Sequence, residues 1–258
     1  MGHFIHRQRD YGLAAKMNGC APAFFFHAEQ IPGANGASVA GGSSFPCIGP
    51  APNASQPAAP VINTTGYFGS RRCLDFASSA YLRIDDLSTL YTTMTDAFIV
   101  VAAVNIPNTA AQRTILDFGL NGSTARYADH YIDGASDQPG MYYQNSGGAV
   151  GFGASTAVTM GACTILTFAR NGFQGSIFEL TSSGENQLVA SGSFSKTGAV
   201  SFDRGLIGAE WNNAGPTAAS YFGGLMRMMA VFIRPNYANS HLTALAVHIR
   251  DKLDCPVG

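Results

Sequence analysis

Charge is what this sequence has least of. Only 12% of its 258 residues are Asp, Glu, Lys or Arg, against roughly a quarter in an average soluble domain. A surface so poor in charge is covered by Ser, Thr, Asn, Gln and Gly, as in many extracellular β-proteins, or is buried against partners, as in large assemblies. The 15 basic and 16 acidic residues are scattered and leave a formal net charge of −1. No basic stripe exists to hold phosphates, which argues against a nucleic-acid partner.

Long apolar runs are missing too. Phe24-Phe25-Phe26 and the run at 98–104 fall far short of the roughly 20 residues that span a bilayer. His3, His6, Arg7, Arg9 and Asp10 interrupt any signal-peptide core, and His6 breaks the myristoylation pattern after Gly2. The expectation is therefore a chain with no secretory signal and no membrane span. Five cysteines (Cys20, Cys47, Cys73, Cys163, Cys255) make an odd count without a CxxC pair. That disfavours a disulfide framework or a zinc site and points to free, mostly buried thiols. There is no G-x-S-x-G elbow and no H-E-x-x-H.

What is present divides in two. From 31 to 60 the text is IPGANGASVAGGSSFPCIGPAPNASQPAAP, dense in Pro, Gly, Ala and Ser and free of charge. Proline lacks the N–H and glycine loses backbone entropy, so a regular helix or central strand is not expected there. Disordered linkers are usually charged and poor in aromatics, and Phe24-Phe25-Phe26 stands just before this one. Residues 1–63 read as an extended assembly arm or as a flexible linker, and residues 64–258 as the folded domain.

That domain is punctuated like an all-β protein. Runs rich in β-branched and aromatic residues recur at 81–84, 98–106, 114–118, 126–132, 141–143, 164–170, 176–181, 188–191, 206–208 and 225–233. Between them lie turn signals, including Asn121-Gly122, Asn171-Gly172 and Ser183-Gly184. The run at 98–106 is apolar almost throughout, as a strand buried on both faces would be. Short strands without interleaved helices predict a sandwich or barrel. One helix comes last: Ser240 can cap it, and Leu242, Leu245, Ala246, Ile249 and Leu253 fall on one stripe.

This order of elements resembles the concanavalin A-like lectin/glucanase superfamily, in its laminin-G-like jelly-roll branch. Three stretches carry the resemblance: CLDFASSAYLRIDDLSTL (73–90), the strand at 98–106, and the ending at 205–253 with its turn, long strand and final helix. Met228 and Met229 depart from the acidic position usual in that strand. His241 and Leu242 stand where the final helix often carries Glu. The resemblance implies a jelly-roll β-sandwich with one C-terminal helix.

It also brings glycoside hydrolases into question, because the superfamily contains them. Retention needs two carboxylates about 5 Å apart, which on one strand means acids two or four residues apart. Glu29, Glu179, Glu185 and Glu210 are the only glutamates, and no two lie within four residues. Asp85 and Asp86 are adjacent and would point oppositely. A non-enzymatic protein is expected. No cofactor is expected either, although relatives that hold calcium at the sandwich edge keep that ion open for Asp129, Asp133 and Asp137.

The stretch at 126–145 gathers rings and multidentate polar groups, the mixture that recognises sugars: Tyr127, Asp129, His130, Tyr131, Tyr142 and Tyr143. Trp211 and Asn212 form a second group. Half-exposed strand tyrosines are the plainer alternative. By analogy with phage particles that carry laminin-G-like domains, the expected role is a structural protein of a tailed-bacteriophage virion, associated with the tail, baseplate or fibre. It would join other virion proteins through its arm, be oligomeric in the assembly, and contact host surface polysaccharide. A capsid decoration protein and a free cellular lectin are the alternatives, with a glycoside hydrolase last.

Overall fold

The apolar run at 98–106 is a strand with covered faces on both sides, and the chain is arranged around it. The computed structural model describes residues 11–39, 44–45, 54–65, 67–77, 79–85, 92–93, 97–109, 111–119, 126–145, 148–153, 156–194, 199–200, 202, 204–211 and 218–257. One helical turn, α1 (Leu13–Lys16), precedes β1 (Phe24–His27). Then come β2 (Ser44–Phe45), β3 (Ala54–Ala58), β4 (Val61–Asn63), β5 (Cys73–Asp75), β6 (Tyr81–Asp85) and β7 (Thr92–Thr93). The longer strands are next: β8 (Phe98–Asn105), β9 (Arg113–Gly119), β10 (Arg126–Ile132), β11 (Pro139–Asn145) and β12 (Gly148–Gly153). After them run β13 (Cys163–Asn171), β14 (Gln174–Leu180), β15 (Asn186–Ser193), β16 (Ala199–Val200) and β17 (Arg204–Ile207). A small hairpin, β18 (Glu210–Trp211) with β19 (Ala218–Ala219), leads to β20 (Leu225–Ile233) and the helix α2 (Asn239–Lys252).

Two eight-stranded antiparallel sheets form a jelly-roll sandwich. The first runs β15-β14-β13-β8-β20-β5-β4, with β1 also paired to β20, and the second runs β12-β11-β10-β9-β17-β6-β3-β2. Alternation along β8 shows why its sequence is apolar throughout. Phe98, Val100, Ala102 and Val104 face the core between the sheets. Ile99, Val101 and Ala103 face the helix layer, with Leu242, Leu245, Ala246 and Ile249 of α2 and Leu13 of α1. Each expected strand is present, and so is the final helix. Its N-cap is Ala238 rather than Ser240, with the Ala238 N–H donating to His241 Nδ1 at 2.9 Å. Met228 packs in the helix-side layer and Met229 between the sheets, so both departures from the acidic pattern are core residues of this chain. No helix among the described residues is long and apolar enough to cross a membrane.

The stretch at 1–63 differs from an arm in its described part. β1 pairs with β20 from Phe24↔Val231 to His27↔Met228. Phe24 and Phe26 enter the inter-sheet core and Phe25 the helix-side layer, none more than 1% exposed. The surface on which this segment lies is thus its own sandwich. β3 pairs with β6, and its Pro57 falls in the register shift between Ser55 and Ala58, where no ladder N–H is needed. β4 adds an edge to β5. Residues 1–10 and Cys47 lie outside the described residues, while Cys20, Cys73, Cys163 and Cys255 are free thiols, three of them buried.

One buried cation fastens this junction. The shift in β20 between Met226 and Met228 leaves Arg227 where the strand exchanges β5 for β1 as its neighbour. The Arg227 guanidinium donates to Asp254 O at 2.7 Å and Glu29 Oε1 at 3.1 Å, and to Arg72 O. It ties together the entry to β5, the exit from β1 and the C-terminal end of the chain.

A chain starting at Thr64 is therefore expected not to unfold cooperatively by calorimetry, because it exposes the surfaces that β1 covers. Phe25→Ala in the full chain should lower stability by about 3–5 kcal/mol, the usual range for a buried phenylalanine. A Thr64 chain with the melting profile of the full protein would show that β1 is dispensable.

Candidate functional site

A sandwich has two outer faces, and here they differ. Helices α1 and α2 close the outer face of the first sheet. No helix covers the outer face of the second among the described residues. Strand pairing sets one row of side chains across that face: Tyr142 of β11, Asp129 of β10, Asp117 of β9, Leu206 of β17 and Arg83 of β6. Tyr131 lies beside this row, opposite Gly140.

The eight residues expected at a sugar site separate by face. Asp129, Tyr131 and Tyr142 share the outer face. His130 and Tyr143 point inward, and both are buried. His130 Nδ1 lies 3.1 Å from Leu116 O and Nε2 lies 3.2 Å from the Tyr143 hydroxyl. A carbonyl only accepts, so Nδ1 carries the proton and Nε2 receives the phenol O–H: a neutral imidazole. The ring also stacks on Phe98, with centroids 5.8 Å apart, and meets the edge of Phe168. Burial holds its pKa down to about 4. Neither residue reaches a surface ligand, so both are corrected to core. The Tyr127 side chain and Asn212 lie outside the described residues.

Trp211 is also corrected. It is 4% exposed and packs with Leu206 and Ala209 into a small cluster bordered by Tyr81, Ala218 and Tyr221. Its ring lies over Gly119, where a Cβ would come within 3.5 Å of the indole. The Arg204 guanidinium sits 4.6 Å from the ring centroid, and the Trp211 backbone N–H donates to Asp117 Oδ2 at 2.6 Å. Trp211 holds its loop on the sheet.

Two carboxylates do stand side by side, which a search along single strands could not find. Asp117 and Asp129 are direct partners on β9 and β10, a relation that brings Cβ atoms to about 5 Å. At 1% and 0% exposure they have no access to a glycosidic bond, and Asp117 is engaged by the Trp211 backbone. Asp129, Asp133 and Asp137 do not converge. Asp133 accepts from the Ser136 hydroxyl and from the Ser136 and Ala135 N–H groups, which hold its carboxyl below the usual range. Asp137 pairs with the buried Arg113 at 2.7 Å. Among the described residues no group of three His, Cys, Asp or Glu is placed to hold a metal.

What the face offers a ligand is therefore Tyr131 and Tyr142. Both rings are half-buried. The Tyr131 ring covers Gly140, where a Cβ would come within 2.4 Å of it, and a Cβ at Gly151 would come within 3.3 Å of Tyr142 Cδ2. Any side chain at Gly140 would displace the Tyr131 ring, so this glycine lets an aromatic ring lie along the sheet. Such a ring keeps one face against the backbone.

No family model matches the chain, and no curated protein matches it in sequence. Solved structures share its fold. The CBM40 of the Ruminococcus gnavus IT-sialidase, bound to α2,3-sialyllactose, aligns with a TM-score of 0.52 at 18% identity, over 67% of this chain and 96% of that one. The binding domain of Paraclostridial Mosquitocidal Protein 1 gives 0.54 at 8% identity, over 77% and 48%. The Trypanosoma rangeli sialidase in complex with sialic acid gives 0.55 at 13% identity, over 88% and 33%. The chain thus spans about half of that toxin domain and a third of that sialidase. At these identities the likeness is one of fold.

Two outcomes are expected from burial. Trp211→Ala should lower stability by about 3 kcal/mol or more, whereas Tyr142→Ala should leave the melting temperature nearly unchanged. His130 and His27 are both held near 4, below the 6.5 of a free imidazole. The unfolded chain therefore takes up protons first, and stability should fall by several degrees in melting temperature as pH drops from about 6.5 to about 4. His130→Gln, whose amide can keep both hydrogen bonds, should flatten part of that slope, and an unchanged slope would mean that His130 titrates normally.

Proposed function

We propose that this chain is a non-catalytic glycan-binding module of the concanavalin A-like, laminin-G-like kind, working in the virion of a tailed bacteriophage as a tail, baseplate or fibre-associated protein. The observation that carries the binding role is the second sheet's outer face, without helix cover and bearing the half-exposed rings of Tyr131 and Tyr142 over glycine backbone. Aromatic faces held this way suit the C–H faces of a sugar ring. The sialyllactose complex of the CBM40, which this chain matches over nearly the whole length of that module, supports the ligand class. The burial of Asp117 and Asp129 supports binding without hydrolysis. The charge-poor surface and free cysteines support life in an assembly. Because Phe24–Phe26 are occupied inside the sandwich, contacts with other virion proteins would fall elsewhere in residues 1–63 or along the sheet edges.

The test is a glycan array carrying neutral and sialylated polysaccharides, probed with the full chain. Binding is expected, with no sugar released. Tyr131→Ala or Tyr142→Ala should each weaken it by about fivefold or more, the equivalent of about 1 kcal/mol for a lost aromatic contact. An array with no signal, or binding indifferent to both substitutions, would refute the sheet-face site.

A further inference from the structure

A separate pocket lies at one end of the first sheet. It is a cavity of about 350 Å³, at the lower end of the roughly 300–1,000 Å³ typical of small-ligand pockets and of a size for one compact ligand. Asn105, the last residue of β8, lines it beside Cys163, the first of β13, its backbone partner. Tyr67, Phe68, Pro256 and Val257 supply apolar walls. Among the described residues none lining the pocket is charged, so none of them offers a counter-ion, which favours a neutral ligand.

The polar group is poised rather than satisfied. Asn105 is 7% exposed. Among the described residues its Nδ2 meets nothing better than the Cys163 thiol, 4.0 Å away, and sulfur is a weak acceptor. That thiol already receives the Phe68 N–H at 3.3 Å. The wall is built on unusual backbone: Phe68, Gly69 and Ser70 all have positive φ, at 47°, 63° and 63°. Left-handed conformation disfavours Phe and Ser, and it persists where surrounding structure over-determines it. Here the buried Phe68 ring does so, with the Arg71 N–H donating to Tyr67 O at 3.2 Å. The result keeps Tyr67 on the rim, 42% exposed.

Among the described residues the Asn105 Nδ2–H lacks a strong acceptor, and a ligand carbonyl would supply one; the trans secondary amide of an N-acetyl group can offer its carbonyl there while its N–H points away. An apolar wall beside it suits a methyl group, and an exposed phenol ring suits a pyranose face. We infer that this pocket binds the acetamido group of a neutral N-acetylhexosamine, with its carbonyl accepting from Asn105 Nδ2 and its sugar ring against Tyr67. The inference shares no residue with the sheet face, so either site can fail alone.

Protein-observed NMR of the full chain, titrated with N-acetylglucosamine, N-acetylgalactosamine, glucose, galactose and N-methylacetamide, tests it. The acetylated sugars are expected to shift the Asn105 side-chain amide and the Ala162 and Val257 signals. They should bind more tightly than the parent hexoses by about fivefold or more, as loss of one hydrogen bond in a half-open pocket implies. Tyr67→Ala should weaken them by about fivefold or more. Val257→Trp, at a half-buried position near the chain end, should fill the cavity and abolish the shifts, while melting temperature and Tyr142-dependent array binding stay unchanged. Equal binding of acetylated and plain hexoses, no shifts at all, or shifts that survive Val257→Trp would overturn the proposal. Shifts by N-methylacetamide as strong as those by the sugars would assign the pocket to a peptide amide instead and overturn it as well.

Discussion

The constraint on which this structure depends is that β8 and β20 are buried on both faces at once. A strand has two faces and alternates between them, so a two-layer sandwich normally leaves one free for water. Here every residue of β8 is buried, and only Ile233 of β20 is not. The outer side of the first sheet must then be closed by something other than solvent. The Leu242, Leu245, Ala246 and Ile249 stripe of α2 supplies most of that cover, and Leu13 and Met17 add to it. The helices are a third layer that these apolar strands require.

The same requirement explains why the N-terminal segment belongs to the domain. β20 is nine residues long, and β5 pairs with only Leu225 and Met226 on that side. The rest of the edge would present bare N–H and C=O groups between two apolar layers, a costly arrangement. β1 takes up those groups, and its three phenylalanines complete both cores at once. Arg227 stands at the change of partner. Its stem can lie in apolar surroundings, while its fork reaches carbonyls on chain segments far apart in sequence.

Much of this was legible in the sequence, because it rests on local periodicity. The short, nearly continuous apolar and β-branched runs at 98–106 and 225–233 and the three-and-four spacing of 242–253 each name their element without reference to the rest of the chain. What escaped depends on pairing. The Phe24-Phe25-Phe26 strand sits beside proline- and glycine-rich text, and only the open edge of β20, some 200 residues later, makes it a strand. Register was equally hidden. A two-residue turn at Asn121-Gly122 would set Asp117 opposite Arg126, yet its partner is Asp129, and with that shift the acidic pair and the Tyr142 row appear. For the candidate site, residue type was a good guide to the neighbourhood and a poor one to the face. Of the tyrosines at 131, 142 and 143, the last differs from its neighbour by one position and so by a whole layer.

The two faces divide the chain's chemistry. Burial on the helix side supplies stability, and the core between the sheets consumes the aromatics and histidines nearest it, which is why His130 and Tyr143 are structural. The second sheet carries no helix layer among the described residues; the Trp211 cluster covers it at Leu206 and Asp117, and the Tyr131 and Tyr142 rings stay half-exposed. With a net charge of −1 there is little long-range field to steer a ligand toward it, so recognition falls to contact and shape. A glycan-binding module built this way has weak single sites, since one or two stacked rings supply only a few kcal/mol at most. Useful attachment would then come from many copies presented together, where linked sites gain avidity without any new contact. Were the chain a virion protein, as proposed above, the copies in the particle would present such sites together.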